Sequence, residues 1–303
     1  MSTQSRCRAR VLAVGALLAA GTVLAGCVAE DPATSAAPST PPPTVGAPTE
    51  ARAPTGDRDT VRRRAPQRRE RRRPSWLGSR ILPLRPDGYG EVQPTPRSLR
   101  DRRLPTVDVL PPPRVRRFSA SVAPVPSAVL ARSTWSSACP VTRQDLRYVT
   151  LTFHGFDGAA HTGELLVNRS VARDVVTVFR TLYRERFPVE EMRVVQAEEL
   201  DLPPTGDGNN TTAFVCRPTR GSTSWSEHAY GLAIDLNPFH NPYVKGDLVL
   251  PELSSAYVDS SRGVPGMVIR DSAPVQAFAE IGWGWGGNWE SYKDWMHFSL
   301  RGR

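Results

Sequence analysis

Cysteine and histidine are scarce in this chain: four and five copies in 303 residues. Four cysteines are too few for a framework of several disulfides. Long apolar runs are missing too. The one near the N-terminus, Val11 to Val23, is too short for a comfortable transmembrane helix. Apolar residues are thin from 28 to about 125, where most of the 29 prolines and long arginine runs fall. Such a stretch cannot offset the entropy of ordering, which excludes a packed domain there. Acidic residues run short of basic ones, 30 against 39, for a formal charge of +9. The remainder lacks the strand–helix–strand rhythm of a parallel sheet. What is left is one globular unit of roughly 170 residues, a common domain size.

The N-terminus has the order of an export signal. Arg6, Arg8 and Arg10 precede the apolar run, and Leu24-Ala25-Gly26-Cys27 closes it with small residues. That closing tetrapeptide resembles a bacterial lipoprotein signal. The resemblance implies cleavage before Cys27, lipidation of its sulfur and a protein on the outer face of the cytoplasmic membrane, facing the wall. Cys7 leaves with the signal, so Cys139 and Cys216 remain, an even pair in an oxidising compartment. A Cys139–Cys216 disulfide is expected, adding about 4 kcal/mol in the chain-entropy model, against the alternative of two buried thiols.

After Cys27 come Thr40-Pro41-Pro42-Pro43-Thr44, Arg62-Arg63-Arg64 and Arg68-Arg69-Glu70-Arg71-Arg72-Arg73. We read residues 28–126 as a disordered Pro/Arg-rich tether. Its charge attracts anionic lipid or wall polymer, or only keeps the spacer extended. Nucleic acid fits such runs by composition, but an exported protein does not meet it.

From Ser127 the patterns change. Tyr148–Phe153 and Glu164–Asn168 alternate as strands around a Gly155–Gly158 turn. Val171, Val175, Val178, Phe179 and Leu182 recur at helical spacing from Ser170 to Arg186, with Asn168 or Ser170 as the cap. Arg193–Gln196, Ala213–Arg217, Leu232–Leu236 and Met296–Leu300 are read as further strands, with a second helix from Asp271 or Ser272 to Ile281. Interleaved helices and antiparallel strands make the class α+β, an antiparallel sheet with flanking helices.

Two short stretches carry the chemistry. Ser226-Glu227-His228-Ala229-Tyr230-Gly231-Leu232-Ala233-Ile234-Asp235 offers an imidazole and a carboxylate across a glycine turn. Asp294-Trp295-Met296-His297-Phe298 adds a second imidazole and a second carboxylate. Three nitrogen and oxygen ligands with an open fourth position describe a catalytic zinc site. The leftover Asp294 is placed to take a proton from the attacking water. His154, His161 and His240 have no partner at ligand spacing and are assigned loop or surface roles. Trp283, Trp285, Trp289 and Trp295 either wall a groove or fill the core. Asn209 and Asn210 read as turn residues.

Ser-x-His-x-x-Gly-x-Ala-x-Asp followed by Trp-rich sequence and Asp-x-x-His-Phe resembles the zinc D-alanyl-D-alanine carboxypeptidase family. VanY-type, VanX-type and L-alanyl-D-glutamate peptidases are among its relatives. The resemblance spans about residues 145 to 300 and implies a Hedgehog/DD-peptidase-like fold. It implies His228, Asp235 and His297 as zinc ligands, Asp294 as the acid/base, and Ser226 as a hydrogen-bonding group behind the ligands. It also implies an arginine for the oxyanion or a substrate carboxylate, for which Arg217 is the candidate and Arg193 the rival. Expected, then, is a signal at 1–27, the tether at 28–126 and a monomeric zinc peptidase domain at 127–303. Its substrates would be peptidoglycan stem peptides, cut by metal-activated water as a carboxypeptidase or an endopeptidase, and nucleic acid would not be a partner. The other class of reading is a non-catalytic, zinc-stabilised wall-binding module; an acid ahead of the last histidine favours the enzyme.

Overall fold

A computed structural model describes residues 72–302. The signal segment, Cys27 and the first part of the tether lie outside the described residues. The molecule is built on a long hairpin. β1 (Ala120–Pro124) is followed by a short helix, α1 (Ser127–Arg132), and by β2 (Leu146–His154) and β3 (Ala160–Asn168). These three strands form one antiparallel sheet in the order β1-β2-β3. Leu146 faces Asn168 and His154 faces Ala160 across the hairpin. The alternation in the sequence sends Val149, Leu151, Phe153, Leu165 and Val167 into the core.

Helix α2 (Ala172–Arg184) covers that face with Val175, Val178, Phe179 and Leu182, all buried. Each such side chain stabilises the fold by about 1.5–3 kcal/mol relative to exposure. Neither expected cap bonds the helix N-terminus directly. Asn168 Oδ1 instead accepts from Ser170 N–H (3.1 Å) and closes the turn before it. Helix α2 runs out at Arg186 in the left-handed region (φ 54°), before Phe187-Pro188.

Two-residue strands β4 (Glu191–Met192) and β5 (Asn210–Thr211) pair in parallel. The strand expected at Arg193–Gln196 is therefore displaced toward the N-terminus. Ala213–Arg217 is extended but joins no strand pair. Its N–H groups go singly to Leu166 O from Phe214 and to His228 O from Val215, because it crosses between two elements. β6 (Ala233–Asp235) follows, then the hairpin β7 (Tyr243–Lys245) and β8 (Leu248–Leu250). Helix α3 (Ala273–Glu280) carries Pro274 in its first turn, where the missing N–H costs nothing. β9 (Gly284–Trp285), β10 (Lys293–Asp294) and β11 (His297–Ser299) finish the chain. β11 lies between β6 and β9, and β10 pairs with β7. The class is α+β with small antiparallel sheets.

The boundary at residue 126 needs correction. Residues 72–126 do not stand apart from the domain. Leu82, Leu99 and Leu104 form a second buried cluster with Phe239, Leu253, Tyr257 and Met267. Arg102 is only 1% exposed. Its guanidinium bonds both oxygens of Glu190 at 2.7 Å and the Asp207 carbonyl at 2.7 Å. This strap has little regular structure and too few apolar residues for a core of its own. It is ordered because it borrows the core of the domain, which composition alone does not reveal.

Candidate metal centre

His228 sits on a single 3-10 turn, Glu227–Tyr230, capped by Ser226, whose Oγ accepts from His228 N–H at 3.3 Å. Gly231 ends the turn in the left-handed region (φ 66°), and a Cβ there would lie 2.7 Å from Asn168 N. Only glycine satisfies both demands. The chain then enters β6, where Asp235 stands opposite His297 of β11 in register. A turn and half a strand thus bring ligands seven residues apart to one point.

His228 Nδ1 donates to the Ala213 carbonyl at 2.6 Å, which leaves Nε2 as a lone pair aimed inward. That Nε2 lies 3.2 Å from His297 Nδ1 and 3.2 Å from Asp235 Oδ1, and the third side of the triangle, His297 Nδ1 to Asp235 Oδ1, is 3.1 Å. Ligands about 2.0–2.1 Å from a tetrahedral zinc stand roughly 3.3 Å apart. The triangle has that size. His228, Asp235 and His297 are the group of side chains able to hold a metal ion among the described residues. Burial alone would push the Asp235 carboxyl up, but the two imidazoles hold it well below the usual carboxylate range. His297 Nε2 is buried and has no partner among the described residues.

Asp294 reaches the centre from β10, paired opposite Tyr243 of β7. Gly286 packs against its backbone so closely that a Cβ would meet Asp294 O at 2.5 Å. Asp294 Oδ1 is buried and has no hydrogen-bond partner among the described residues. Burial first, and then the Asp235 charge, push its carboxyl up to about 8, against the pull of His297 and Arg217. A buried carboxyl beside these donors is of the kind that moves protons in active sites.

The two arginine candidates separate cleanly by their partners. Arg193 is engaged by Glu191 at 2.5 Å and by both oxygens of Glu199 at 2.6 and 2.9 Å. Arg217 has no such carboxylate; its Nη1 donates to the Pro218 carbonyl at 3.2 Å. Burial lowers its affinity for its proton, while Asp235 and Asp294 act against that. The Cys139–Cys216 disulfide is formed, with Cα atoms 5.9 Å apart, and holds the residue next to Arg217.

The remaining histidines lie outside the centre, but two are buried and not at the surface as expected. His161 is bonded by Asp108 (2.9 Å) and Asp157 (3.2 Å). His240 stacks on Phe156 and bonds Asn209 and the Arg102 carbonyl. Asn209 is therefore more than a turn residue, and Asn210 ties down Arg193 through its backbone. Trp283 and Trp285 are core, while Trp289 lines the site with its ring 5.4 Å from that of His297.

The centre opens onto a groove of about 2090 Å³, lined among others by Arg217, Tyr243, Trp289 and Tyr292, and by Tyr89 of the strap. The strap's part in it had one signal in the sequence: the turn pair Asp87-Gly88 amid prolines.

A family model described as D-alanyl-D-alanine carboxypeptidase matches residues 220–300. Through this stretch the chain is similar to that family of peptidases. The match takes in His228, Asp235, Asp294 and His297 and stops short of Arg217, the disulfide and the strap. No curated protein and no solved structure matches the chain.

Proposed function

We propose that this chain is a zinc-dependent peptidase that hydrolyses the stem peptides of peptidoglycan at an amide next to a D-residue. The observation that carries this reading is the convergence of three electron-pair donors on one point, with a buried, unpartnered carboxyl beside them. Three such atoms about 3 Å apart repel one another unless a cation or proton lies between them. Nitrogen and oxygen donors in this number fit zinc with a position left open. His228 Nε2, Asp235 Oδ1 and His297 Nδ1 would hold it.

When bound, the zinc supplies Lewis acidity that polarises a carbonyl and makes water a stronger nucleophile. Asp294 takes the proton of the attacking water on its carboxylate and returns it to the leaving amine nitrogen. Arg217 offers a guanidinium fork to the oxygen that gains charge or to a substrate carboxylate. Ser226 fixes the turn from which His228 is aimed. Trp289 and Tyr243 give the peptide apolar walls. An open groove suits a substrate longer than a dipeptide, whether a terminal alanine or an internal bond is released.

Mass spectrometry of muropeptides after incubation with the zinc-loaded protein tests the reading. Loss of a terminal alanine marks a carboxypeptidase, and separation of alanine from glutamate marks an endopeptidase. No mass change with added zinc would overturn it. We further propose that a lipid on Cys27 holds the protein, as a monomer, at the outer face of the membrane; incorporation of labelled fatty acid, lost in Cys27→Ala, checks the anchor.

A further inference from the structure

The groove has a wall that the peptidase chemistry does not use. In the strap, Arg85 N–H donates to the Tyr89 carbonyl at 2.7 Å and Leu84 bridges Gly90, closing a tight hairpin. Two anchors fix that hairpin on the domain. Arg85 pairs with Asp247, in the turn between β7 and β8, at 3.0 Å, and Gly90 N–H donates to the buried Glu252 Oε1 at 2.9 Å. Together they set Tyr89 on the same groove as Asp294 and His297.

The Arg220 guanidinium lies over the Tyr89 ring, 5.0 Å from its centre. Arg217 lines the same groove as Arg220 and Tyr89. Other arginines lining the groove have carboxylates: Arg73 has Glu190, Arg193 has Glu191 and Glu199, and Arg301 has Glu227. Among the described residues neither Arg217 nor Arg220 has an ion-pair partner. Two like charges on one groove without carboxylate partners, one of them held on an aromatic face, make an arrangement that an anion relieves. The planar fork of arginine suits a carboxylate in particular.

We propose that Arg220, stacked on Tyr89 of the strap and lining the same groove as Arg217, binds a carboxylate of an acidic peptide substrate away from the bond that is cut. The strap is then part of the substrate-binding surface as well as of the fold. The choice of a peptide as ligand rests on the peptidase reading above.

The test uses the full chain carrying Asp294→Asn, so that ligand is bound and not turned over. Calorimetry measures Kd for the pentapeptide L-Ala-γ-D-Glu-L-Lys-D-Ala-D-Ala, for the same peptide amidated at the glutamate α-carboxyl, and for the peptide amidated at its C-terminus. Adding Arg220→Ala is expected to weaken the unmodified peptide about tenfold, the loss of one charge-assisted pair. Tyr89→Ala is expected to weaken it less, about threefold, because only the support of the guanidinium is lost. One of the two amidations should abolish the effect of Arg220→Ala and so identify the carboxylate. The proposal is overturned if Arg220→Ala leaves Kd unchanged, if it weakens all three peptides equally, or if the parent binds none of them. Failure of the peptidase reading looks different: the zinc-loaded wild type leaves the pentapeptide intact while the Arg220-dependent binding pattern persists.

Discussion

Two buried polar clusters sit in this domain, and they are built on opposite terms. Under the strap, Arg102, Glu190, Asn209, His240 and Tyr257 close on one another. Glu190 accepts from Arg102 twice and from Asn209 Nδ2 at 2.8 Å, and Arg102 N–H donates to Tyr257 Oη at 2.8 Å. Tyr257 O–H in turn donates to the Leu99 carbonyl at 2.9 Å. At the candidate metal centre, by contrast, three electron-pair donors face one another, and Asp294 Oδ1 and His297 Nε2 have no partner among the described residues. A satisfied network stabilises a single packing. An unsatisfied one costs about 1–3 kcal/mol per group and persists where a ligand completes it. Burial alone therefore does not mark a functional site; the missing partners do.

The largest effect is expected from removing a ligand at the open cluster. His297→Ala and His228→Ala should lower bound zinc, measured by plasma mass spectrometry, from about one per chain to background, and hydrolysis with it. Full zinc occupancy in either variant would show that the triangle is not the metal site. Asp294→Asn should behave differently. It should keep zinc and the melting temperature while kcat falls about 10²–10⁴-fold, the usual contribution of a general acid/base. If Asp294→Asn lost zinc instead, Asp294 would belong among the ligands.

At the closed cluster the expected loss is of stability. Arg102→Met leaves Glu190 buried without its cation, which costs about 3–5 kcal/mol. Denaturant titration should show that drop, and Glu190→Gln in the same chain should recover part of it. Equal stability of Arg102→Met and wild type would mean that the strap is not held by this pair. The contrast with Asp294→Asn separates structure from chemistry: one change moves the midpoint of unfolding and the other moves kcat.

The two clusters were also unequally legible in the sequence. The open one lies within short runs, His228 to Asp235 and Asp294 to His297, where spacing and residue type already state the chemistry. The long hairpin and α2 were legible as well, because period-two and helical patterns extend over several turns or residue pairs. The closed cluster joins residues from 102, 190, 209, 240 and 257, a set of separations no local pattern encodes. The strap was missed for the same reason. Leu82, Leu99 and Leu104 are spaced irregularly among prolines and arginines, and their burial depends on partners more than a hundred residues away. Residue type alone does not separate Arg217, the candidate, from its rival Arg193; their partners do. Only the fold brings Glu199 to the one and leaves the other facing the groove.

Within the closed cluster, acid should act on His240 before it reaches Glu190. His240 is fully buried, and burial pulls its pKa down to about 4, opposed by the Glu190 charge and the bond to the Arg102 carbonyl. Its Nε2–H donates to that carbonyl at 2.9 Å and its Nδ1 accepts from Asn209 Nδ2 at 3.1 Å, a pattern that only the neutral ring satisfies. The unfolded chain takes up this proton near pH 6.5 and the folded one only near 4. Between those values the unfolded state binds more protons, so stability rises with pH across the window and falls as pH drops through it. The whole shift corresponds to about 3 kcal/mol, fully present above pH 6.5 and exhausted below about 4. Glu190 continues the trend at lower pH. Burial alone would raise its pKa, but the Arg102 charge and hydrogen bonds keep it below the ordinary carboxylate value. Asp294, with its carboxyl pushed up to about 8, acts with the opposite sign over the same range, so the His240 contribution is read as a difference between two chains. Unfolding free energy measured by urea titration from pH 8 to pH 4 should lose this contribution between 6.5 and 4 in His240→Gln, which keeps a side-chain acceptor and donor without a titrating ring. An unchanged slope would place the acid sensitivity elsewhere, with the metal centre as the next cluster to test.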